Sequence, residues 1–266
     1  MRLLVAGGTG TAGRAVVQEA VRRGHDVRVL TRRAGGPAAR SGDAAVLVQG
    51  DLVTGAGLAA ALEGVEAVVD VSNIGTGSHR RAAAFFTAGT AHLVEAAGRA
   101  GVRHHVLLSI VGVDGSRLGY YRAKVDQERC LSARAPAAGV GHTVARATQF
   151  HDFALQTLER SGTHRLLVVP EVRVQPVEVH EVAAHLVGLA ERQPVGRAPD
   201  LAGPRVERLP ELVRRVAARR GVHVRVVGLP VTPGLRRSLL PGDGGLRGSG
   251  TFGQWLQTVP VGVSGR

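Results

Sequence analysis

MRLLVAGGTGTAG, residues 1–13, decides the fold. A short apolar run ends in glycine, with Gly7, Gly10 and Gly13 spaced at intervals of three and a helical pattern beginning near Arg14. Glycine lets a backbone turn sharply and approach a ligand closely, while the start of a helix offers unpaired N–H groups and a partial positive charge. A strand, a glycine turn and a helix in that order form an anion cradle suited to a dinucleotide pyrophosphate. Gly7, Thr9, Gly10, Thr11, Ala12 and Gly13 are its candidate contacts.

Outward from this loop, further apolar runs alternate with amphipathic stretches. Residues 2–6, 27–31, 45–49, 66–71, 104–110 and 142–147 are short, Val/Leu-rich and bounded by Gly or Asp, and read as strands. Segments 13–23 and 81–99 repeat Ala, Val and Leu at helical spacing. The alternation predicts an α/β fold, a doubly wound parallel sheet of Rossmann type covered on both faces. After about residue 150 the rhythm changes to a Pro/Val-rich stretch and helices near 180–192 and 208–220. The expected organisation is a nucleotide-binding core over 1–150 and a smaller C-terminal substrate lobe over 151–266, as one compact unit. The Gly/Arg-rich segment 235–250 reads as a loop.

A formal charge of +13 would ordinarily invite nucleic acid, but the cations are scattered, and only one of the 34 basic residues is a lysine. Aromatic residues make up 3% of the chain, too few for a base-stacking platform. Nucleic acid is therefore not an expected partner; a small-molecule substrate is. No basic leader or long apolar run precedes the glycine loop, so neither export nor a membrane anchor is expected. The lone Cys130 excludes an internal disulfide, and His104, His105, His142 and His180 lack metal-ligand spacing. The reading is a cytoplasmic monomer or homodimer without a metal.

The second strand ends in Thr31-Arg32-Arg33, where selectivity for NAD would usually call for an acidic residue on the ribose 2′-hydroxyl. Arg32 and Arg33 instead suit the 2′-phosphate of NADP(H), the alternative being two solvated arginines. Asp51 and Leu52 after the third strand, and Ser72 and Asn73 after the fourth, stand where such folds contact a nucleotide; polar strand ends are also ordinary.

Lys124 is the only lysine of the chain, and Tyr120 and Tyr121 are its only tyrosines. An arginine-rich chain that keeps one lysine marks a position where a bulky planar guanidinium will not serve. Tyr120 and Lys124 are four apart, hence on one helix face, while Tyr121 points about 100° away. An ammonium beside the phenol would lower its pKa toward neutrality and could also bond ribose hydroxyls. Ser109, at the end of the fifth strand, is the candidate hydrogen-bond donor to the same substrate oxygen.

These residues resemble the YxxxK short-chain dehydrogenase/reductases, and more narrowly the NmrA-like atypical branch. The resemblance rests on GGTGTAG, Gly101 to Val106, Gly119 to Lys124, Arg146 to Phe150 and Phe252 to Leu256, and covers most of the chain. It implies Tyr120 as acid/base, Lys124 as ribose ligand and tuning cation, Ser109 as orienting donor, and Gln149 and Phe150 near the nicotinamide. His151 either reaches the cleft or bonds nearby backbone. The implied activity is NADPH-dependent reduction of a ketone, enone or quinone in a small apolar metabolite of secondary metabolism, with aromatic and polyketide-derived molecules as candidates. Two alternatives remain open: a dinucleotide-binding redox sensor without turnover, and an epimerase or dehydratase that retains its cofactor. The second is disfavoured by the short C-terminal lobe.

Overall fold

The computed structural model describes residues 1–32, 45–116, 118–160, 165–232, 234 and 239–261. Arg33 lies outside the described residues. The chain separates into two compact units, Met1–Arg146 with Val182–Ala198, and Ala147–Glu181 with Pro199–Arg266.

The first unit is built on the strands β1 (Arg2–Ala6), β2 (Asp26–Thr31), β3 (Ala45–Gln49), β4 (Ala67–Asp70), β5 (His104–Ile110) and β6 (Gly141–Ala147). They lie in the order β3-β2-β1-β4-β5-β6. The pairings of β1 with β2 and β4, of β2 with β3 and of β4 with β5 are parallel. This is the doubly wound arrangement, whose order reverses between β1 and β4; ligands of such sheets bind at the carboxyl ends of that pair. Ala6 and Asp70 face each other there. Helices α1 (Thr11–Arg22), α2 (Leu58–Leu62), α3 (His79–Arg99) and α4 (Gly119–Ala137) connect the strands.

Burial explains the composition of the strands. Leu3, Leu4 and Val5 of β1 are all fully buried, as a sheet covered on both faces requires. Leu4, Leu58, Leu62, Val68, Leu93, Leu107 and Leu131 form one apolar cluster. Truncating a fully enclosed member such as Leu107 to Ala would cost about 2–5 kcal/mol.

The helix expected near 180–192 is α6, Val179–Ala190, which follows α5 (Asp152–Glu159) and the short strands β7 (Leu166–Pro170) and β8 (Arg173–Val174). From Val182 onward it belongs to the first unit, although it falls in the region expected to form the second lobe. Arg23 explains this: its guanidinium donates to the Ala184 carbonyl and to Glu191. The strand β9 (Gly196–Arg197) then pairs in parallel with β6.

The second unit continues with β10 (Leu201–Ala202), β11 (Glu207–Arg208), α7 (Leu209–Arg219), β12 (Arg225–Leu229), β13 (Leu246–Arg247) and α8 (Phe252–Thr258). β12 pairs in parallel with β7, β11 antiparallel with β8, and β13 in parallel with β10. α7 buries Leu209, Leu212, Val213, Val216 and Ala217, one stripe at helical spacing. A Thr251/Gln254 capping box starts α8, whose Phe252 and Trp255 lie against the His151 ring. No helix among the described residues is long and apolar enough to cross a membrane.

Candidate functional site

The glycine loop is shaped by steric necessity at two positions. Gly7 has φ +84°, and a Cβ on it would lie 2.7 Å from the Ser72 Cα; one on Gly13 would lie 2.1 Å from the Gly7 carbonyl oxygen. A side chain at either residue collides with backbone. Gly10 differs, because a Cβ there meets only that same carbonyl oxygen, at an ordinary 3.5 Å. What Gly10 leaves open is the outer face of the loop, the space a pyrophosphate would fill. Thr9, Gly10 and Thr11 are exposed, Ala12 is half-buried, no side chain caps the start of α1, and its first turn holds no acidic residue. The helix dipole therefore has no counter-charge from its own first turn, and the residues present fit a dinucleotide.

Beyond the loop, the other nucleotide candidates divide by the work they do. Arg32 is exposed at the end of β2. Asp51 spends Oδ1 on the Val53 N–H at 2.7 Å, forming a local turn. Leu52 is 9% exposed and belongs to the apolar core, and its carbonyl bonds His92 Nδ1 at 2.9 Å. Ser72 is buried, with its N–H donating to Asp70 Oδ1 at 2.9 Å. Asn73 is exposed, and its Oδ1 accepts the Tyr120 hydroxyl at 2.7 Å. Ser72 abuts Gly7 and Asn73 follows it, so the phenol is tied to the strand end that walls the glycine loop.

Tyr120 packs edge-on to Phe86, with ring centroids 5.9 Å apart, and burial pushes its phenol up to about 12. Repulsion from Tyr121 adds to the rise, and the Asn73 hydrogen bond opposes it. This is opposite in direction to the lowering that a neighbouring ammonium would cause. The Lys124 ammonium is engaged elsewhere. It donates to the Leu108 carbonyl at 2.9 Å and to Gln127 Oε1 at 2.6 Å, and lies 4.7 Å from the centre of the Phe86 ring. Burial pushes Lys124 down to about 8 against the attraction of Asp70 and Glu128. Ser109 is 2% exposed, and its hydroxyl has no hydrogen-bond partner among the described residues.

Gln149, Phe150 and His151 belong to the second unit. Gln149 is buried with both amide atoms unpartnered among the described residues, and Phe150 bridges to Val177. His151 bonds the Gly250 carbonyl at 3.2 Å, and burial lowers its pKa. In the first unit, His104 bonds Thr143 Oγ1 at 2.9 Å.

Sequence reasoning missed the groups around Lys124. Gln127 stands three residues after it on α4, a spacing that brings two side chains together. Asp70, the carboxylate ending an otherwise apolar strand, was also a readable signal. Also missed was Arg146, which bonds Glu128 and Asp114 and so ties α4 to the turn after β5.

A family model described as NAD(P)H-binding matches residues 7–192. The chain belongs to this NAD(P)H-binding family. Its doubly wound sheet is of Rossmann type. Over 111 residues, 42% of this chain and 34% of the relative, it is 34% identical to the photosystem II assembly factor Ycf39 of Synechocystis sp.. The match thus spans about a third of that relative's length. Among solved structures, MoeE5 in complex with UDP-glucose and NAD matches with a TM-score of 0.74 and 18% identity, covering 97% of each chain. A short-chain dehydrogenase/reductase superfamily protein from Agrobacterium tumefaciens with bound NAD also gives 0.74, at 20% identity over 97% of this chain and 95% of that one. At these identities the likeness establishes the fold.

Proposed function

We propose that this NAD(P)H-binding protein is an NADPH-dependent oxidoreductase that reduces a ketone, enone or quinone on a small apolar molecule, with Tyr120 as proton donor. The observation that carries this reading is the 2.7 Å hydrogen bond from the Tyr120 hydroxyl to Asn73. It holds the acid beside the strand end that walls the glycine loop. A phenol raised to about 12 is protonated at neutral pH, the form that donates a proton to a substrate oxygen.

When bound, the cofactor supplies the hydride to the substrate carbon. Tyr120 gives its proton to the substrate oxygen and regains one from solvent. The unsatisfied Ser109 hydroxyl is the donor that orients that oxygen. Lys124, one helical turn after Tyr120, is assigned to the ribose hydroxyls and to tuning the phenol, for which its ammonium would have to turn from Leu108 and Gln127. Thr9 to Gly13 would hold the pyrophosphate, and Arg32 the 2′-phosphate. Gln149 and Phe150 are assigned to the nicotinamide, Asp51, Leu52, Ser72 and Asn73 to the nucleotide, and 151–266 to substrate.

A binding role without turnover is the second reading. It is favoured by the similarity to an assembly factor and by a Lys124 ammonium already bonded to Leu108 and Gln127. The retained-cofactor reading loses the objection drawn from a short C-terminal lobe, since MoeE5, a UDP-sugar-binding neighbour, is matched over 97% of its own length.

The test is NADPH consumption with a panel of quinones and aromatic ketones, native against Tyr120→Phe. The reductase reading expects turnover that falls about 10²- to 10⁴-fold in the variant with the NADPH Kd unchanged. Tight NADPH binding without turnover on the whole panel would favour the binding role.

A further inference from the structure

We propose that Gln127 is the positioning residue for Lys124: its carboxamide, oriented by Asp70 and Thr90, anchors the ammonium and couples it to the Asp70 carboxylate. All four side chains are at least nine-tenths buried in the first unit, with Asp70, Thr90 and Gln127 each 1% exposed and Lys124 4%.

The orientation of Gln127 follows from the chemistry of its neighbours. Its Oε1 accepts from Lys124 Nζ at 2.6 Å, while its Nε2 donates to Thr90 Oγ1 at 3.2 Å and to Asp70 Oδ2 at 3.4 Å. An ammonium can only donate and a carboxylate can only accept, so a carboxamide joining them is satisfied one way round. Reversing it would set N–H against N–H at one end and oxygen against oxygen at the other. Gln127 thus transmits polarity between two buried charges.

Asp70 and Glu128 favour the charged form of Lys124, while Asp70 has further support of its own. Asp70 is enclosed completely, which alone would raise its pKa, yet the contact with His105 and the Ser72 hydrogen bonds hold it below the usual carboxylate value. At 3.8 Å, His105 Nε2 lies at ion-pair rather than hydrogen-bond distance. Lys124 is faced by Gln127 and Glu128 on α4, Asp70 on β4, the Leu108 carbonyl on β5, and Phe86 on α3. An isolated buried ammonium and an isolated buried carboxylate are each costly, and a polar bridge between them offsets part of both penalties.

The same arrangement accounts for the solitary lysine. Lys124 sends N–H groups to a carbonyl and a carboxamide and lies over an aromatic face, which a compact ammonium can do. A planar guanidinium with five fixed donors would leave some of them buried and unpaired.

The single lysine also supplies the probe, because protein made with 13Cε-lysine has one side-chain signal whose titration belongs to Lys124. The native signal is expected to titrate near 8. In Gln127→Leu it should move lower by about one unit or more, since burial persists without the anchor. Gln127→Glu should move it higher, by placing a carboxylate against the ammonium. Thr90→Val, nearly isosteric and removing only one support of the carboxamide, should give a smaller downward shift and covers the case where Gln127→Leu does not fold. Opposite signs for Leu and Glu would not follow from a packing role. An unchanged titration in folded Gln127→Leu, or in Thr90→Val if the former fails to fold, overturns the proposal.

The catalytic importance of this anchor rests on the reductase reading, but the titration does not. Shifts as stated with no NADPH turnover in the native protein would support the anchor and remove the reductase. Turnover with no response of Lys124 to either substitution would leave the reductase and overturn the anchor.

Discussion

The glycine loop after β1 and the first two turns of α4 use the chain in contrasting ways. In the loop, backbone does the work: Gly7 and Gly13 are required because backbone occupies the space where their Cβ atoms would sit. In α4, side chains do it, and each functional atom is held by a partner from another element, Tyr120 by Asn73 and Lys124 by Leu108. A site made of backbone can be read from residue identity and order. A site made of side chains depends on neighbours distant in sequence, so the same motif can present its groups in more than one way.

The contrast is most exposed to failure at Gly13. Gly13→Ala places a methyl 2.1 Å from the Gly7 carbonyl oxygen, so NADPH binding should be lost. Stability should fall by at least about 1–3 kcal/mol, each kcal/mol being worth roughly 2–4 °C in thermal midpoint for a chain of this size. Gly10→Ala should instead keep the native midpoint, because its Cβ meets only the Gly7 carbonyl oxygen at 3.5 Å, and still weaken NADPH if the pyrophosphate is held as proposed. Equal midpoint losses in the two variants, by calorimetry, would end the distinction between a glycine demanded by backbone and one demanded by ligand.

Next in size is Lys124→Arg, which preserves charge. If α4 depends on side-chain partners as described, turnover should drop by about 10²-fold or more with the glycine loop intact. Near-native kcat in steady-state assays would mean that charge alone suffices. Arg32→Ala should raise the NADPH Kd by about 1.5–3 kcal/mol, roughly 10- to 150-fold, and leave NADH nearly unchanged. Titrations showing equal losses for both cofactors would remove the 2′-phosphate assignment.

The smallest effect is on stability against pH. Lys124 gives up its proton near 8 in the folded chain and near 10.5 when unfolded. Between those values the unfolded state binds more protons, so stability should rise with pH through that window, whereas below 8 the buried ammonium carries a constant cost. The thermal midpoint of the native protein minus that of Lys124→Met should therefore climb from pH 8 toward pH 10. A flat difference would show that Lys124 pays no burial cost.

Much of the first unit was legible because its rules are local. The runs at residues 2–6, 45–49 and 104–110 coincide with β1, β3 and β5, and the central β1 is apolar from Leu3 to Ala6 because both of its faces are covered. α6 was placed nearly correctly, but not its membership, because the bonds of Arg23 to Ala184 and Glu191 cross more than 160 residues. At the candidate site the engagements of the named side chains were not legible. The YxxxK spacing puts Tyr120 and Lys124 on one face, yet Gln127 and the Leu108 carbonyl compete for the ammonium, and only the fold brings Leu108 into reach. Asp51 and Leu52 show the same limit, serving a turn and the core as visibly as any ligand.

Enclosing the sole lysine has a practical corollary. With Lys124 only 4% exposed, the folded protein shows amine-acylating reagents almost no side-chain target. Acylation at this position therefore requires α4 to open, and its rate becomes a clock for local unfolding around the candidate site. If a nucleotide stabilises this region, the clock should slow as the nucleotide is added, and the extent of slowing would report affinity without any turnover.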